Sequence, residues 1–215
     1  MYHMKVFVDA RWTRTNYHDG ISRYGTCLIE ELRKIQPITV LIHDKAQLNL
    51  LPNNIPYEIV NHPISWRELG LPRKLNQLGA DVVFSPLQYM GIFGRKYKLI
   101  LTVHDLIYYR HPQPPTYLSR PVQLVWRAFH LAFWPQRLLL NRADAIVTVS
   151  DTSKRYIEDN KISTRPVHVV YNAPSRLNIA HQKPKKKIVY MGSFMPYKNA
   201  ELLIAAMELL PQYEL

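Results

Sequence analysis

The stretch Lys98-Leu-Ile-Leu-Thr-Val103 is the strongest strand signal in the chain, and the polar pair His104-Asp105 follows it directly. An unbroken run of Leu, Ile and Val is typical of a strand that is covered on both faces, as the strands of a parallel sheet are. Similar short apolar runs recur along the chain with helical segments between them, which predicts an α/β fold with a doubly wound parallel sheet. The predicted strands are residues 5–9, 39–43, 57–60, 81–84, 98–103, 145–149 and 167–170.

The segments between these strands have the patterns of helices. Helices are predicted over residues 22–35, 66–78 with an interruption near 70–72, 118–141, and 152–159. Pro135 predicts a kink in the long third helix, because proline removes a hydrogen bond of the helix interior. Ser150 predicts the N-cap of the last one, and capping accounts for this serine without a catalytic role.

The C-terminal residues begin the strand-and-helix pattern again. Residues 186–191 predict a strand, residues 192–199 a turn, and residues 200–210 a helix that Pro211 ends. One strand and one helix cannot bury a core of their own. The sequence therefore predicts a first Rossmann-like domain over residues 1–170, a linker over 171–186, and the incomplete start of a second Rossmann-like domain over 187–215.

Composition limits the classes of partner and the compartment. The 215 residues carry a formal net charge of +12 and include one cysteine. The charge indicates an anionic partner, which could be nucleic acid, acidic lipid or a phosphorylated substrate. No reader motif for nucleic acid is present, so no nucleic-acid partner is predicted. The lone cysteine and the lack of an N-terminal signal pattern predict a cytoplasmic protein.

Residues that follow the predicted strands are the candidates for a functional site, because ligands of doubly wound sheets bind outside the carboxyl ends of the strands. His104 at such a position could donate a hydrogen bond to a hydroxyl or act as a base. Asp105 could orient that imidazole or cap the next segment. Gly20, near the start of the first helix, would let backbone amides approach a phosphate or a sugar, or it simply makes a turn.

The C-terminal segment contains a second candidate site. Gly192 permits a tight turn, and Lys198 lies at the start of a predicted helix, where a lysine opposes the helix dipole. That conflict is explained if Lys198 and the helix amides share an anionic ligand such as a diphosphate. The alternative is an exposed lysine in solvent.

Five stretches, taken in order, resemble the retaining glycosyltransferases of family four, and most closely their mannosyltransferase-like branch. They are Asp-Gly-Ile-Ser-Arg-Tyr (19–24), Val-His-Asp-Leu (103–106), Ala-Asp-Ala-Ile-Val-Thr-Val-Ser (143–150), Val-Val-Tyr-Asn-Ala (169–173) and Ile-Val-Tyr-Met-Gly-Ser-Phe-Met-Pro-Tyr-Lys-Asn (188–199). The resemblance implies two Rossmann-like domains of the GT-B type. It also implies a nucleotide-sugar donor, a glycan or lipid-linked acceptor, and transfer with retention.

The resemblance also implies roles for individual residues. His104, with Asp105 beside it, would contact the transferred sugar, and Gly20 would approach the donor phosphates or the acceptor. Gly192, Ser193 and Lys198 would bind the leaving diphosphate. Neither a metal nor a cofactor is implied, because cationic side chains and a helix N-terminus stabilise the departing charge.

Departures from the family pattern suggest a partial active site. Relatives often carry Arg where this chain has Ser193 and Tyr197, and Asn-Gly where it has Asn172-Ala173. The E-x7-E region that holds the donor in relatives is missing from the sequence. We therefore expect a chain that stops early in the donor-binding domain and is inactive alone. A non-catalytic α/β binding or partner protein is the alternative.

Residues 117–142 combine Leu and aromatic residues with arginines, as helices at membrane interfaces do. This pattern predicts either peripheral contact with an anionic membrane, at its inner face, or a core helix with a basic outer stripe.

Overall fold

A computed structural model describes residues 4–115, 118–173, 186–192 and 194–215. The chain divides into two compact units. The first unit contains residues 1–106 and 133–172, and the second contains residues 107–132 and 173–215. Residues 107–132 thus group with the C-terminal segment. The predicted domain boundaries at residues 170 and 187 stay predictions.

The first unit is built on a parallel sheet that has seven strands among the described residues. The strands are β1 (Val6–Asp9), β2 (Ile38–Ile42), β3 (Tyr57–Ile59), β4 (Val82–Ser85), β5 (Lys98–Val103), β6 (Ala145–Thr148) and β7 (Val167–Val169). Their order in the sheet is β3-β2-β1-β4-β5-β6-β7, and every neighbouring pair is parallel. The predicted doubly wound α/β fold is confirmed. Strand order reverses at β1, between β2 and β4, where such sheets open a crevice for ligands.

Most helices follow the predicted segments, but the helix at Ile107–Arg110 and the 3-10 turn at Lys45–Leu50 were not predicted, and one predicted helix is divided. They are α1 (Gly20–Ile35), α2 (Leu71–Gln77), α3 (Ile107–Arg110), α4 (Arg120–His130), α5 (Trp134–Leu140), α6 (Asp151–Asp159) and α7 (Ala200–Ala206), with 3-10 turns at Lys45–Leu50, Trp66–Gly70, Pro196–Lys198 and Met207–Leu209. The prediction of one kinked helix over 118–141 was wrong, because the chain breaks into α4 and α5. Pro135 lies in the first turn of α5, where no intrahelical partner is lost.

The core of the first unit lies on both faces of the sheet. Val8 and Val40 pack on one face with Ile29 of α1, whereas Phe7 packs on the other with Leu75 of α2. Neighbouring residues of one strand point to opposite faces, so a continuous apolar run is what a sheet covered twice requires.

In the second unit, the residues before and after α7 meet in a single backbone bridge. Glu214 donates its backbone N–H to the Lys186 carbonyl at 2.9 Å, and Ile188 donates to the Glu214 carbonyl at 2.7 Å. These bonds form one parallel bridge, so the strand predicted over 186–191 is much shorter than expected. Beyond the bridge, Val189 and Met191 are 87% and 96% exposed.

Candidate functional site

The carboxyl ends of the strands gather polar side chains at one edge of the sheet. Asp9 and Ser85 are the last residues of β1 and β4, and both are fully buried. His104 follows β5, and Ser150, the N-cap of α6, follows β6 closely. Because all the strands are parallel, these residues come to the same edge, which is where the fold places ligands.

His104 is half-buried and held in a defined orientation. Its Nε2 lies 2.8 Å from the Pro86 carbonyl oxygen, which can only accept, so Nε2 carries a proton. The ring packs edge-on against Tyr24 of α1, with ring centroids 4.9 Å apart. The His104 carbonyl accepts a hydrogen bond from Ser153 Oγ at 3.2 Å. In the neutral ring, therefore, Nδ1 is the nitrogen that can accept a hydrogen bond from a hydroxyl.

Asp105 is exposed at the end of the same strand. Nε2 of His104 donates its hydrogen bond to the Pro86 carbonyl, so Asp105 does not orient that nitrogen. Its role beside the transferred sugar stays a prediction.

Gly20 is the first residue of α1, and Asp19 caps this helix. Asp19 Oδ1 accepts from the Ser22 N–H at 2.9 Å, and Oδ2 accepts from Arg14 Nε at 2.7 Å. Burial alone would raise the pKa of Asp19, but these two donors outweigh it and lower the pKa. A carboxylate thus already lies at the positive end of α1, a position that also favours a phosphate.

The remaining predicted residues belong to the second unit. Lys198 is exposed at the end of the turn Pro196–Lys198, and its Nζ lies 5.3 Å from the centre of the Tyr197 ring. Gly192 is exposed, and a side chain there would meet the Tyr190 hydroxyl at 2.9 Å. Ser193 lies outside the described residues. The phosphate-binding roles of these residues stay predictions.

Tyr197 stands where relatives often carry arginine, and its ring packs inside the second unit. It stacks on His111 with centroids 5.8 Å apart and meets Tyr108 edge-on at 6.1 Å. These contacts hold the Tyr197 ring against α3 and the residue that follows it.

A buried ion network that sequence reasoning missed lies behind the site. Arg11 Nε is 2.8 Å from Asp9 Oδ1, and Arg11 Nη1 is 2.6 Å from Glu68 Oε2. The Arg11 and Asp9 side chains have no exposed surface, and the Glu68 side chain is 8% exposed. Burial alone would lower the pKa of Arg11, but the two carboxylates raise it above its ordinary value. Asp9 and Arg11 are close in sequence, whereas no local signal marks Glu68 as their partner.

The network ties three loops to the carboxyl edge of the sheet. Glu68 Oε1 accepts from the Gly91 N–H at 2.8 Å in the β4–β5 loop. Gln47, also buried, donates from Nε2 to the carbonyl oxygens of Thr13 at 2.6 Å and Arg11 at 3.0 Å. These contacts hold the β1–α1 loop at the carboxyl edge of the sheet.

Gly91 and Gly20 differ in the space that a side chain would have. A Cβ at Gly91 would lie 2.3 Å from the Glu68 carbonyl oxygen, whereas a Cβ at Gly20 would meet nothing within 4 Å. We expect Gly91→Ala to destabilise the protein by about 1–3 kcal/mol through overpacking. Gly20→Ala should leave stability unchanged or raise it by about 0.4–1 kcal/mol.

Urea unfolding of the two variants checks this prediction. Equal stabilities would contradict the geometry of the Glu68 contact. A Gly20→Ala variant that keeps its stability but binds substrate more weakly would indicate that a ligand occupies the open space beside Gly20.

Among residues 4–115, 118–173, 186–192 and 194–215, no group of three or more His, Cys, Asp or Glu side chains is placed to hold a metal ion. Within those same ranges, no helix combines the length and apolarity needed to cross a bilayer.

Two comparisons with known proteins give a match, one to a sequence family and one to a solved structure. The sequence profile of Glycosyltransferase Family 4 matches residues 20–173. The structure is similar to that of sucrose-phosphate synthase from Thermosynechococcus elongatus, with a TM-score of 0.63 and 13% sequence identity. The match covers 98% of this chain and 61% of that one, so this chain spans less than two thirds of its structural neighbour. No curated protein sequence matches the chain significantly.

Proposed function

The chain belongs to glycosyltransferase family 4, and we propose that it supplies the acceptor side of the active site of a nucleotide-sugar-dependent enzyme. The reaction transfers a hexosyl group, of the mannosyl type, to a glycan or lipid-linked acceptor with retention. The observation that carries this proposal is the family match over residues 20–173. It spans the start of α1, the His104 strand end and the start of α6. The enzyme works in the cytoplasm and uses no cofactor beyond its donor substrate.

His104 binds the sugar through its free ring nitrogen. With Nε2 donating to the Pro86 carbonyl, Nδ1 of the neutral ring accepts a hydrogen bond from a sugar hydroxyl. A hydrogen bond from a fixed ring positions the sugar without reorganisation during the reaction. The His104 ring packs against Tyr24 of α1, and the His104 backbone carbonyl accepts a hydrogen bond from Ser153 of α6. These contacts support the role because they hold the residue from two helices.

Lys198 binds the departing nucleoside diphosphate and stabilises its negative charge. The lysine is exposed, and its ammonium lies beside the Tyr197 ring. A fixed cation stabilises the charge that develops on a leaving diphosphate, which is the task a metal would otherwise perform. Gly192 and Ser193 precede this turn and complete the phosphate-binding segment of the proposal.

A transfer assay tests the proposed function. The 215-residue chain is incubated with labelled nucleotide sugars and a set of glycan and lipid-linked acceptors. A parallel reaction adds the donor-binding half of a family 4 enzyme as a separate polypeptide. We expect transfer in the complemented reaction and little or none with the chain alone. A non-catalytic binding protein would give none in either reaction.

A further inference from the structure

We propose that α4 docks the protein on a membrane surface that carries anionic lipid headgroups, with the helix lying flat in the plane of the interface. The proposal goes beyond sugar transfer, and its test needs no substrate. It rests on the exposure and the charge of the helix within the second unit.

The outward face of α4 carries several exposed apolar side chains. Leu124 and Val125 are 69% and 68% exposed, and Leu131 just after the helix is 80% exposed. None of the residues of α4 is buried. Within α4, the prediction of a core helix with a basic outer stripe is therefore wrong, because exposed apolar side chains share the solvent side with the arginines. In α5, by contrast, Leu140 is buried and Arg137 is exposed, as that prediction expected. Soluble proteins rarely leave such clusters uncovered without a binding partner.

The opposite side of α4 is already occupied inside the second unit. The Tyr108 ring lies edge-on to Trp126, with centroids 4.9 Å apart, and it also meets His130 at 5.8 Å. Trp126 and His130 are half-buried. These contacts fix the rotation of the helix, so Leu124 and Val125 are presented outward and cannot turn into the unit.

The positive charge around α4 favours an anionic surface as the binding partner of this face. The sequence has no acidic residue between Asp105 and Asp144, and that interval contains five arginines: Arg110, Arg120, Arg127, Arg137 and Arg142. Arg120 and Arg127 are exposed on α4, and neither forms a salt bridge within the described part of the chain. They lie two helical turns apart on one side, each four residues before one of the exposed leucines.

Apolar residues beside unpaired arginines fit an interfacial helix. The apolar side chains enter the boundary between headgroups and acyl chains while the guanidinium groups bind lipid phosphates. A second copy of the chain fits less well. A two-fold contact would place this arginine-bearing, acid-free face against itself, with like charges opposed.

Vesicle flotation of the full 215-residue chain tests the proposal. We expect binding to vesicles of phosphatidylcholine mixed with phosphatidylglycerol and little binding to phosphatidylcholine alone. Arg120→Gln with Arg127→Gln should reduce binding to the anionic vesicles by at least about tenfold. Leu124→Ser with Leu131→Ser should reduce it by a similar factor, because the apolar contribution is lost.

The control is Ile35→Ser with Arg73→Gln, which makes one apolar-to-serine and one arginine-to-glutamine exchange at exposed positions of α1 and α2. It should bind as the unchanged protein does, and circular dichroism confirms that every variant is folded. Equal binding to both kinds of vesicle, no binding to either, or equal losses in the control overturn the proposal. So does a dimer that the α4 substitutions dissociate while vesicle binding is unchanged.

Discussion

Replacing Arg11 with leucine is expected to lower the free energy of unfolding by about 3–5 kcal/mol. The guanidinium bonds both Asp9 and Glu68, and all three side chains are buried or nearly so. Removing it leaves two carboxylates in the interior without a cation, and their desolvation is no longer offset. Urea unfolding at neutral pH, compared with the unchanged protein, measures the loss.

Arg14→Leu is the matched control for this experiment. Arg14 also pairs with a carboxylate, that of Asp19, but its side chain is 55% exposed and that of Asp19 is 35% exposed. Water screens such a pair, so the same substitution should cost less than about 1 kcal/mol. Similar losses for the two variants would mean that the Arg11 network does not hold the carboxyl edge of the sheet.

His104→Ala is expected to reduce sugar transfer by about 10²–10³-fold in the complemented enzyme. The substitution removes the ring whose Nδ1 is proposed to accept a hydrogen bond from the sugar, while the fold loses only one hydrogen bond to Pro86 and the contact with Tyr24. The free energy of unfolding should therefore fall by about 1–2 kcal/mol. This is less than the increase of about 2.7–4 kcal/mol in activation free energy that the expected rate loss represents. Rates at saturating acceptor, together with urea unfolding, separate the two effects.

His168→Ala supplies the comparison on the same sheet. His168 is an exposed residue of β7, so its removal should leave both rate and stability nearly unchanged. His104→Asn and His104→Gln place an amide where the ring was, and partial recovery of rate would support hydrogen bonding as the role. Full activity of His104→Ala would remove this residue from the active site.

The sheet could be predicted because each strand has a local sequence pattern that indicates it. The runs that form β5 and β6 are apolar without alternation, and Ser150 marks the start of α6 by its capping bond to Ser153. The break between α4 and α5 was missed because Pro135 has two roles. A proline can kink a helix or begin one, and local sequence does not choose between them.

The site was predictable only where its residues adjoin strands. His104 was found from its position after β5, while the partner of its Nε2 is a backbone carbonyl 18 residues away. Glu68 reaches Arg11 across 57 residues, so its pairing depends on the folded loops. The outward face of α4 was not predictable either, because rotation of the helix is set by Tyr108 and Trp126.

Sugar transfer by the complemented chain is the most direct test of the central claim, that this family 4 chain forms the acceptor side of a glycosyltransferase active site. Label from a nucleotide sugar should appear in a glycan or lipid-linked acceptor only when both polypeptides are present, and His104→Ala should remove most of it. The absence of transfer from every donor, with both polypeptides folded and associated, would contradict the claim. So would the same rate without the 215-residue chain.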